Sequence, residues 1–352
     1  MESVVTPNRV FTTTLALMYS VPAPMRLLHI ALLLLATTAH AAPFQYFRIG
    51  NPADIQTKAT PGTAMMGGGT DLDEAFRWLC QKANGGDFLI LRATGDDDYN
   101  PWVNKLCPLN SVATLIIPNR EAANDPAVAT IISQAEAVFI AGGDQSNYIR
   151  GWQDTPVETA INAGIAAGKP IGGTSAGLAV EGEFVYACLK DKPDDKDLAS
   201  TDVLPNPYFD RVTLIRNFLK IPHLENLITD SHFAKRDRLG RSLGFLARIM
   251  QDGWSNSPHE IAIDEKSAVL VEADGRAKIV GTGKGAYFLR PTHPPEVCKK
   301  DEPLTFGNVE VIRVQSGGTF DLGKWTSTAG ASYTLSVVAG KIESTQPNHS
   351  IY

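Results

Sequence analysis

Lys169-Pro-Ile-Gly-Gly173-Thr-Ser175-Ala-Gly177 is the stretch from which the fold is inferred. It contains the pattern G-x-S-x-G directly after an apolar run and directly before Leu178-Ala179-Val180. In that pattern a sharp strand-to-helix turn lifts the serine above a sheet, and the small neighbouring residues let the chain turn without clashes. The stretch therefore predicts a strand, an exposed serine and a helix N-terminus. A glycine-rich turn that holds a purely structural serine is the alternative.

Short apolar runs precede this turn, each bounded by Gly, Asp or Pro. Continuous apolar runs are typical of strands buried on both faces, as in parallel sheets. Helical patterns lie between them at 71–79 and at 156–168, where acidic residues or a proline begin the helix. Alternating strands and helices predict an α/β sandwich with right-handed crossovers. The four predicted strands are 88–91, 114–117, 137–141 and 170–171.

From about residue 256 the pattern changes to short strands separated by glycine-containing turns, with no helix between them. This pattern predicts an antiparallel β extension attached to the parallel core. We accordingly divide the chain into a catalytic core, 42–255, and a β-rich extension of the same domain, 256–352. Residues 181–220 form a predicted insert whose charged run, 190–197, is most simply a solvated loop.

The first 41 residues are predicted not to belong to the fold. Met25-Arg26 is followed by a short apolar stretch and then by Ala39-His40-Ala41, which matches an A-x-A signal-peptidase site. The apolar stretch is shorter than the roughly 20 residues that a transmembrane helix needs, although a membrane anchor is the alternative. Residues 1–41 are thus predicted to be an upstream extension and a cleaved signal peptide. The mature protein is expected to be secreted, in the periplasm or outside the cell, and not membrane-bound.

The composition excludes some classes of function. The 352 residues are 43% hydrophobic and 20% charged with a net charge of −6, so no basic footprint for nucleic acid is present. No glycine loop has a nucleotide-binding context, and no cofactor is predicted. The four cysteines of an exported chain predict two disulfides, for which we choose Cys80–Cys107 and Cys188–Cys298. Metal ligation is less well supported because close Cys/His spacing is missing.

A nucleophilic serine needs a base, and five histidines remain after residue 41. His232 follows a short apolar strand, and sites in open α/β sheets form beyond the carboxyl ends of strands. His232 is therefore the predicted base for Ser175. A carboxylate must orient the imidazole, and spacing does not choose among the candidates. They are Asp194, Asp195, Asp197, Asp202, Asp210, Glu225 and Asp230.

Three arginines follow the histidine, at 236, 238 and 241. Arginine forks bind carboxylates in a bidentate manner, so an acidic substrate group is a natural partner. The alternative is a solvated helix face, with the apolar residues 239, 243, 246, 247 and 250 turned inward.

Together, several segments resemble the cyanophycinases, a serine peptidase family that also includes a dipeptidase cleaving after N-terminal aspartate. The resemblance covers roughly residues 62–290 and implies a three-layer α/β/α sandwich with a mostly parallel sheet, similar to class I glutamine amidotransferases. The segments that carry it are 139–145, 172–177 and 230–241, with loops at 67–69 and 91–96.

The resemblance also implies the chemistry. Ser175 would attack an isopeptide carbonyl between an aspartate side chain and arginine, and His232 would carry the proton. N–H groups of Ala176 and of the Gly67–Gly69 loop, here Gly68 and Gly69, would form the oxyanion hole. The implied substrate-binding residues are Gln145, Asp230, Arg236, Arg238 and Arg241, with Asp230 placed to hold an arginine side chain.

The sequence departs from the family pattern in two places. Ser231 stands where the family often has glutamine, and the triad acid, often a glutamate before Asn-Pro, has Asp202 as its nearest equivalent and Asp210 as the reserve. Cleavage of cyanophycin to β-Asp-Arg is the predicted reaction, and an aspartyl or isoaspartyl dipeptidase, an esterase and a non-catalytic binding protein remain alternatives. Beyond a peptide or cyanophycin substrate, a homodimer is left open as a partner.

Overall fold

The computed structural model describes residues 43–192 and 195–352. The predicted signal peptide, 1–41, and the acid candidate at position 194 lie outside the described residues. The helices are α1 (Asp73–Ala83), α2 (Tyr99–Leu106), α3 (Arg120–Ala123), α4 (Pro126–Gln134), α5 (Gln145–Trp152), α6 (Pro156–Ala166), α7 (Ala176–Ala179), α8 (Ser200–Val203) and α9 (Leu239–Gln251).

Strands account for most of the remaining regular structure, and each predicted strand has an observed counterpart. In chain order they are β1 (Gln45–Gly50), β2 (Gly62–Met66), β3 (Asp87–Arg92), β4 (Ser111–Ile116), β5 (Ala137–Ile140), β6 (Ile171–Thr174), β7 (Phe184–Tyr186), β8 (Leu214–Arg216), β9 (Leu227–Asp230), β10 (His259–Ile263), β11 (Ser267–Glu272), β12 (Arg276–Gly281), β13 (Ala286–Pro291), β14 (Phe306–Val314), β15 (Thr319–Asp321), β16 (Thr326–Ser327), β17 (Ala331–Val338) and β18 (Lys341–Ser344).

The first sheet has the order β1-β4-β3-β5-β6-β2-β11-β12-β15-β16. Its strands from β4 to β2 pair in parallel, which is the α/β core that the sequence predicts. Strand β1 closes one side in antiparallel fashion, and β11 begins an antiparallel group on the other. The ends of β2 and β6 therefore lie side by side at the carboxyl edge, where sites form in such sheets.

The second sheet has the order β18-β17-β14-β13-β10-β9-β7-β8. Strand β9 is parallel to both β10 and β7, whereas the pairings on either side of this group are antiparallel. The predicted insert supplies β7 and β8 to one edge of this sheet.

Burial on both faces explains the continuous apolar strands. In β3, Phe88 and Ile90 belong to the buried cluster that includes residues of α1 and α2, while Leu89 and Leu91 belong to the cluster that includes residues of α4–α6. Successive side chains of a strand point to opposite faces, so a strand between two helical layers needs apolar residues at every position. The parallel part of the first sheet is thus a three-layer sandwich.

The structure corrects the prediction of a mostly parallel sheet with an appended β extension. Both sheets are mixed, and strands after residue 256 enter both of them: β11 extends the first sheet from β2, and β10 lies beside β9 in the second. The periodicity of short strands identified the strands but not their partners, because pairing depends on contacts distant in sequence.

The cysteines are predicted correctly for one pair and wrongly for the other. Cys80 and Cys107 form a disulfide that joins α1 to the residue after α2. Cys188 and Cys298 are free thiols. Cys298 is buried in the cluster that packs on α9, while the thiol of Cys188 accepts a hydrogen bond from Gln145. Within residues 43–192 and 195–352, we find no helix with the length and apolarity required to cross a membrane.

Candidate active site

Ser175 lies on a sharp turn between β6 and α7. Its backbone has φ 54° and ψ −111°, and its N–H donates to the carbonyl of Met66 at 3.1 Å. A non-glycine residue with positive φ is strained and persists only where its surroundings fix it. Both flanking glycines are required, since a Cβ on Gly177 would lie 2.0 Å from the carbonyl oxygen of Ile140, and one on Gly173 would lie 2.5 Å from the carbonyl carbon of Gly177.

A buried cluster of hydrogen bonds stabilises the end of β6, just before this turn. Thr174 Oγ1 donates to Asp71 Oδ1 at 2.7 Å, and the hydroxyl of Tyr99 donates to Oδ2 of the same carboxyl at 2.5 Å. Burial raises the pKa of Asp71, although these hydrogen bonds counteract part of the effect. Because Thr174 precedes Ser175, Asp71 fixes the strand end that presents the serine. The sequence did not suggest a role for Asp71 beyond the first turn of a helix.

His232 is brought to Ser175 from the second sheet. It follows β9, its N–H donates to the carbonyl of Gly67 at 2.8 Å, and its Nε2 lies 2.7 Å from Ser175 Oγ. The histidine is 4% exposed. The structure therefore places together the predicted nucleophile and its predicted base.

The carboxylate that orients His232 is Glu265, in the turn between β10 and β11. Its Oε1 lies 2.7 Å from His232 Nδ1, which leaves Nε2 to accept a proton from the serine. This hydrogen bond lowers the pKa of Glu265, so the glutamate remains charged. Burial lowers the pKa of His232, and its pairing with Glu265 offsets only part of that effect.

The prediction that Asp202 orients the histidine is wrong. Asp202 lies in α8, and its Oδ2 accepts a hydrogen bond from the N–H of Ala199 at 2.8 Å, at the start of that helix. The reserve choice, Asp210, is exposed in the insert. Asp202 and Asp210 both lie in the insert, whereas Glu265 follows β10, the strand that is parallel to β9.

Glu265 is not among the acids predicted from the sequence, because all of these lie between the serine and the histidine in the chain. A signal was nonetheless present: Asp264-Glu265 directly follows the apolar strand β10. Strands β9 and β10 are parallel, so their carboxyl ends meet at the same edge. Residues that follow these two strands can therefore contact each other, as His232 and Glu265 do.

The three residues predicted for the oxyanion hole lie in two different places, with Gly68 and Gly69 beside the His–Glu pair and Ala176 beside the cavity. A Cβ on Gly68 would lie 2.5 Å from His232 Nε2, and one on Gly69 would lie 3.2 Å from the Cβ of Glu265. These two glycines thus allow the chain to pass close to the His–Glu pair. On the other side, Gly143 and Ala176 line the same cavity as Ser175.

The cavity beside Ser175 has a volume of about 210 Å³. Its walls carry many charged groups, and residues 191–192 and 195–198 of the insert form one of these walls. Among the predicted substrate-binding residues, four line this cavity, namely Gln145, Arg236, Arg238 and Arg241.

Asp230 is not free to hold a substrate arginine. It is 3% exposed, and its carboxylate is paired with Arg241, with Nε–Oδ2 at 2.8 Å, and with Arg238 at 3.3 Å. Burial alone would raise the pKa of Asp230, but the two guanidinium groups hold it below its usual value. Asp230 therefore anchors the arginines, and its predicted role as a direct substrate contact is corrected.

Arg236 and Gln145 are more accessible. The side chain of Arg236 is 41% exposed, and its Nη1 donates to Asp197 Oδ2 at 2.8 Å. Gln145 begins α5, and its Nε2 donates to the thiol of Cys188 at 2.9 Å. The cavity is thus lined by arginine guanidinium groups and by the side-chain amide of Gln145.

The described residues give no support for a metal centre at this site, since they contain no group of three or more His, Cys, Asp or Glu placed to hold an ion. A larger cavity of about 1100 Å³ lies between α1 and the strands β12 and β15, but it contains neither a histidine nor a serine. The Ser–His–Glu line and the arginine-rich cavity are therefore the candidate active site.

Comparison with known proteins relates part of the chain to a peptidase family. Residues 107–238 match the model of Peptidase family S51. Several curated relatives of the chain are cyanophycinases. The cyanophycinase of Trichormus variabilis is 28% identical over 216 residues, which cover 60% of this chain and 65% of the relative. The cyanophycinase of Synechococcus elongatus is 27% identical over 224 residues, with 61% of each chain covered. The match thus spans slightly less than two thirds of the length of these relatives.

Two solved structures are also similar. A peptidase from an acI-B1 Actinobacterium has a TM-score of 0.48 and 17% identity, covering 76% of this chain and 98% of its own. A putative peptidase E protein from Listeria monocytogenes has a TM-score of 0.42 and 14% identity, covering 64% of this chain and 100% of its own.

Proposed function

We propose that this protein is a secreted serine hydrolase that cleaves aspartyl or isoaspartyl peptide bonds, with cyanophycin as its substrate and β-Asp-Arg as its product. The observation that carries the proposal is the line from Ser175 Oγ to His232 Nε2 and from His232 Nδ1 to Glu265 Oε1, 2.7 Å at each step. Its opening onto an arginine-rich cavity, and the similarity to cyanophycinases, support the substrate class.

In the proposed mechanism, Ser175 Oγ attacks the isopeptide carbonyl carbon while His232 Nε2 takes the serine proton. The carbon–nitrogen bond then breaks, and the leaving amine takes that proton from His232. Water attacks the resulting ester and gives a proton to His232, which returns it to Ser175 Oγ as the ester bond breaks. Glu265 stabilises the imidazolium that forms in both halves of the reaction.

Ala176 and Gly143 are the proposed oxyanion donors. Both line the cavity with Ser175, and the N–H of Ala176 lies at the first position of α7, where a developing negative charge is favoured. Gly142 is packed against the nucleophile, since a Cβ on it would lie 3.6 Å from Ser175 Cβ. We propose that Gly68 and Gly69 provide room for the His–Glu pair and do not contact the oxyanion.

Arginines 236, 238 and 241 are proposed to recognise substrate carboxylates, because guanidinium forks match carboxylate geometry. In cyanophycin the arginine attached to each aspartate side chain keeps its own carboxylate, which supplies such a group. Export is proposed from the signal-like N-terminus, and the Cys80–Cys107 disulfide suits an oxidising compartment.

A dipeptidase acting on aspartyl or isoaspartyl peptides is the second candidate. The cavity of about 210 Å³ favours it, since this is below the 300–1,000 Å³ common for small-molecule sites. Such a volume suits one or two substrate residues better than a long polymer segment.

The deciding experiment measures release of β-Asp-Arg from purified cyanophycin by the wild-type protein and by Ser175→Ala. Release by the wild type alone supports both the serine mechanism and the polymer substrate. If neither form releases dipeptide, the polymer assignment fails, and short aspartyl and isoaspartyl peptides are assayed next. Labelling of Ser175 by a fluorophosphonate separates a hydrolase from a binding protein.

A further inference from the structure

Asp197, in the insert, already occupies the arginines of the candidate active site. Its Oδ2 accepts hydrogen bonds from Arg236 Nη1 at 2.8 Å and from Arg238 Nη2 at 2.9 Å. The carboxylate lies in the same cavity as Ser175. One carboxylate oxygen therefore bridges the two guanidinium groups, which is the arrangement expected of a bound substrate carboxylate.

The chain on both sides of Asp197 is held in place. Before it, Arg211 Nη2 donates to the carbonyl of Lys196 at 2.7 Å, and the same guanidinium forms two hydrogen bonds to Asp191, at 2.9 and 3.0 Å. After it, Arg241 Nη1 donates to the carbonyl of Leu198 at 3.1 Å. The position of Asp197 is thus set by its neighbours and does not depend only on its own ion pairs.

The charges in this cluster explain why the carboxylate is found there. Asp230 pairs with Arg241 and with Nη1 of Arg238, which leaves Nη2 of Arg238 beside the cavity. The guanidinium of Arg236 lines the same cavity, with its Nε 4.0 Å from Glu265 Oε1. Two cations directed into a small cavity favour an anion. Burial opposes ionisation of Asp197, but the two guanidinium groups lower its pKa to about 2, so it is charged at neutral pH.

We propose that Asp197 is an internal competitor for the carboxylate of the substrate, and that it therefore sets how strongly the site discriminates in favour of acidic substrates. A weakly acidic or neutral group does not displace it, because the arginines would lose an ion pair without gaining another. A substrate carboxylate regains both hydrogen bonds. Displacement is feasible because the Asp197 side chain is 48% exposed and can rotate into solvent. The inference rests on the proposed function for the role of the arginines.

The alternative is that Asp197 holds Arg236 and Arg238 ready for the substrate, and the two roles predict opposite results. Removing a competitor strengthens the binding of a dicarboxylate, whereas removing a support weakens it. Asp197→Asn keeps the shape of the side chain and removes its charge. The matched control is Asp195→Asn, because Asp195 lines the same cavity but its carboxylate contacts the N–H of Lys192, at 2.9 Å, and Arg211, at 3.7 Å.

The test is calorimetric titration of the full chain with succinate, which requires no turnover. We expect Asp197→Asn to bind succinate about fivefold more tightly than the wild type, the upper end for an exposed ion pair, and Asp195→Asn to be unchanged. Unchanged or weaker binding by Asp197→Asn, or no binding by any form, overturns the proposal. Cyanophycin cleavage is measured separately: its absence, with the succinate shift present, rejects the proposed substrate and leaves the role of Asp197 standing.

A second readout uses the cleavage reaction itself. If the chain releases β-Asp-Arg, Asp197→Asn should lower KM by a similar factor and leave kcat unchanged, because competition acts before the chemical step. An increase in KM contradicts the proposal and favours the supporting role.

Discussion

Glu265 Oε1 and His232 Nδ1 lie 2.7 Å apart although 33 residues separate them in the chain. The two residues follow the neighbouring parallel strands β9 and β10, so the second sheet sets their distance. The serine comes from the first sheet. Because the proposed triad spans two sheets, its geometry depends on how these sheets pack and not on any one local motif.

Glu265→Gln should reduce kcat strongly. An amide in this position donates or accepts a hydrogen bond without stabilising the imidazolium, and loss of the corresponding charge in a serine protease triad costs about 10⁴-fold in kcat. The measurement is steady-state hydrolysis of an aspartyl peptide or cyanophycin. Asp202→Asn is the control, and it should retain full kcat. Equal losses of kcat in the two variants would show that Glu265 has no specific role in catalysis.

The acidic limb of the pH profile should have its midpoint below about 6.5, the usual pKa of histidine. His232 must be neutral to accept the serine proton. Burial lowers its pKa, so the imidazole is still neutral at about pH 6.5 and becomes protonated only at a lower pH. The check is kcat/KM of the free enzyme between pH 4 and 8. A midpoint above 7 would contradict the assignment. Arg236 contributes to the lowered pKa, so Arg236→Gln should move the midpoint upward.

Gly68→Ala should abolish most activity. The new methyl group would lie 2.5 Å from Cε1 and Nε2 of His232, so the imidazole must leave its position opposite Ser175. The backbone of Gly68 also has φ +87°, a conformation that costs alanine roughly 1–2 kcal/mol. Gly85→Ala is matched for that strain, with φ +77° and no atom closer than 3.9 Å. Comparable activity loss in both variants would mean that strain alone is responsible.

The free-thiol count should be two after denaturation without reductant. The full sequence has four cysteines, and Cys80–Cys107 is the disulfide in the described residues. The disulfide closes a loop with a sequence separation of 27, and a loop of this length raises the free energy of unfolding by about 3–4 kcal/mol in the chain-entropy model. Cys80→Ala should therefore lower the melting temperature, whereas Cys188→Ala should change it little. A count of zero free thiols would show that Cys188 and Cys298 are paired after all.

Local patterns were enough to predict the parallel core and the turn at Ser175. Continuous apolar runs require burial on both faces, and the flanking glycines of the turn are needed because neighbouring backbone lies too close for a side chain. His232 was also found, since it follows an apolar strand.

Pairing across the chain was not predictable in the same way. Nothing in the residues near 265 shows that β10 lies next to β9, so the sequence predicts Asp202 in place of Glu265 as the triad acid. The role of Asp230 as a substrate contact is implied by the family resemblance, although Arg238 and Arg241 from the same segment already surround its carboxylate.

The carbonyls of Met66 and Gly67 receive the backbone N–H groups of Ser175 and His232, respectively. Two successive carbonyl groups at the end of β2 therefore fix the backbone positions of both the nucleophile and the base. Asp197, by contrast, belongs to the segment between β7 and β8, which contributes to neither of these two hydrogen bonds. The residues that place Ser175 and His232 and the proposed competitor Asp197 are thus encoded in separate parts of the gene, so substitutions in the insert can change the strength of the proposed competition while the serine and the histidine keep their positions.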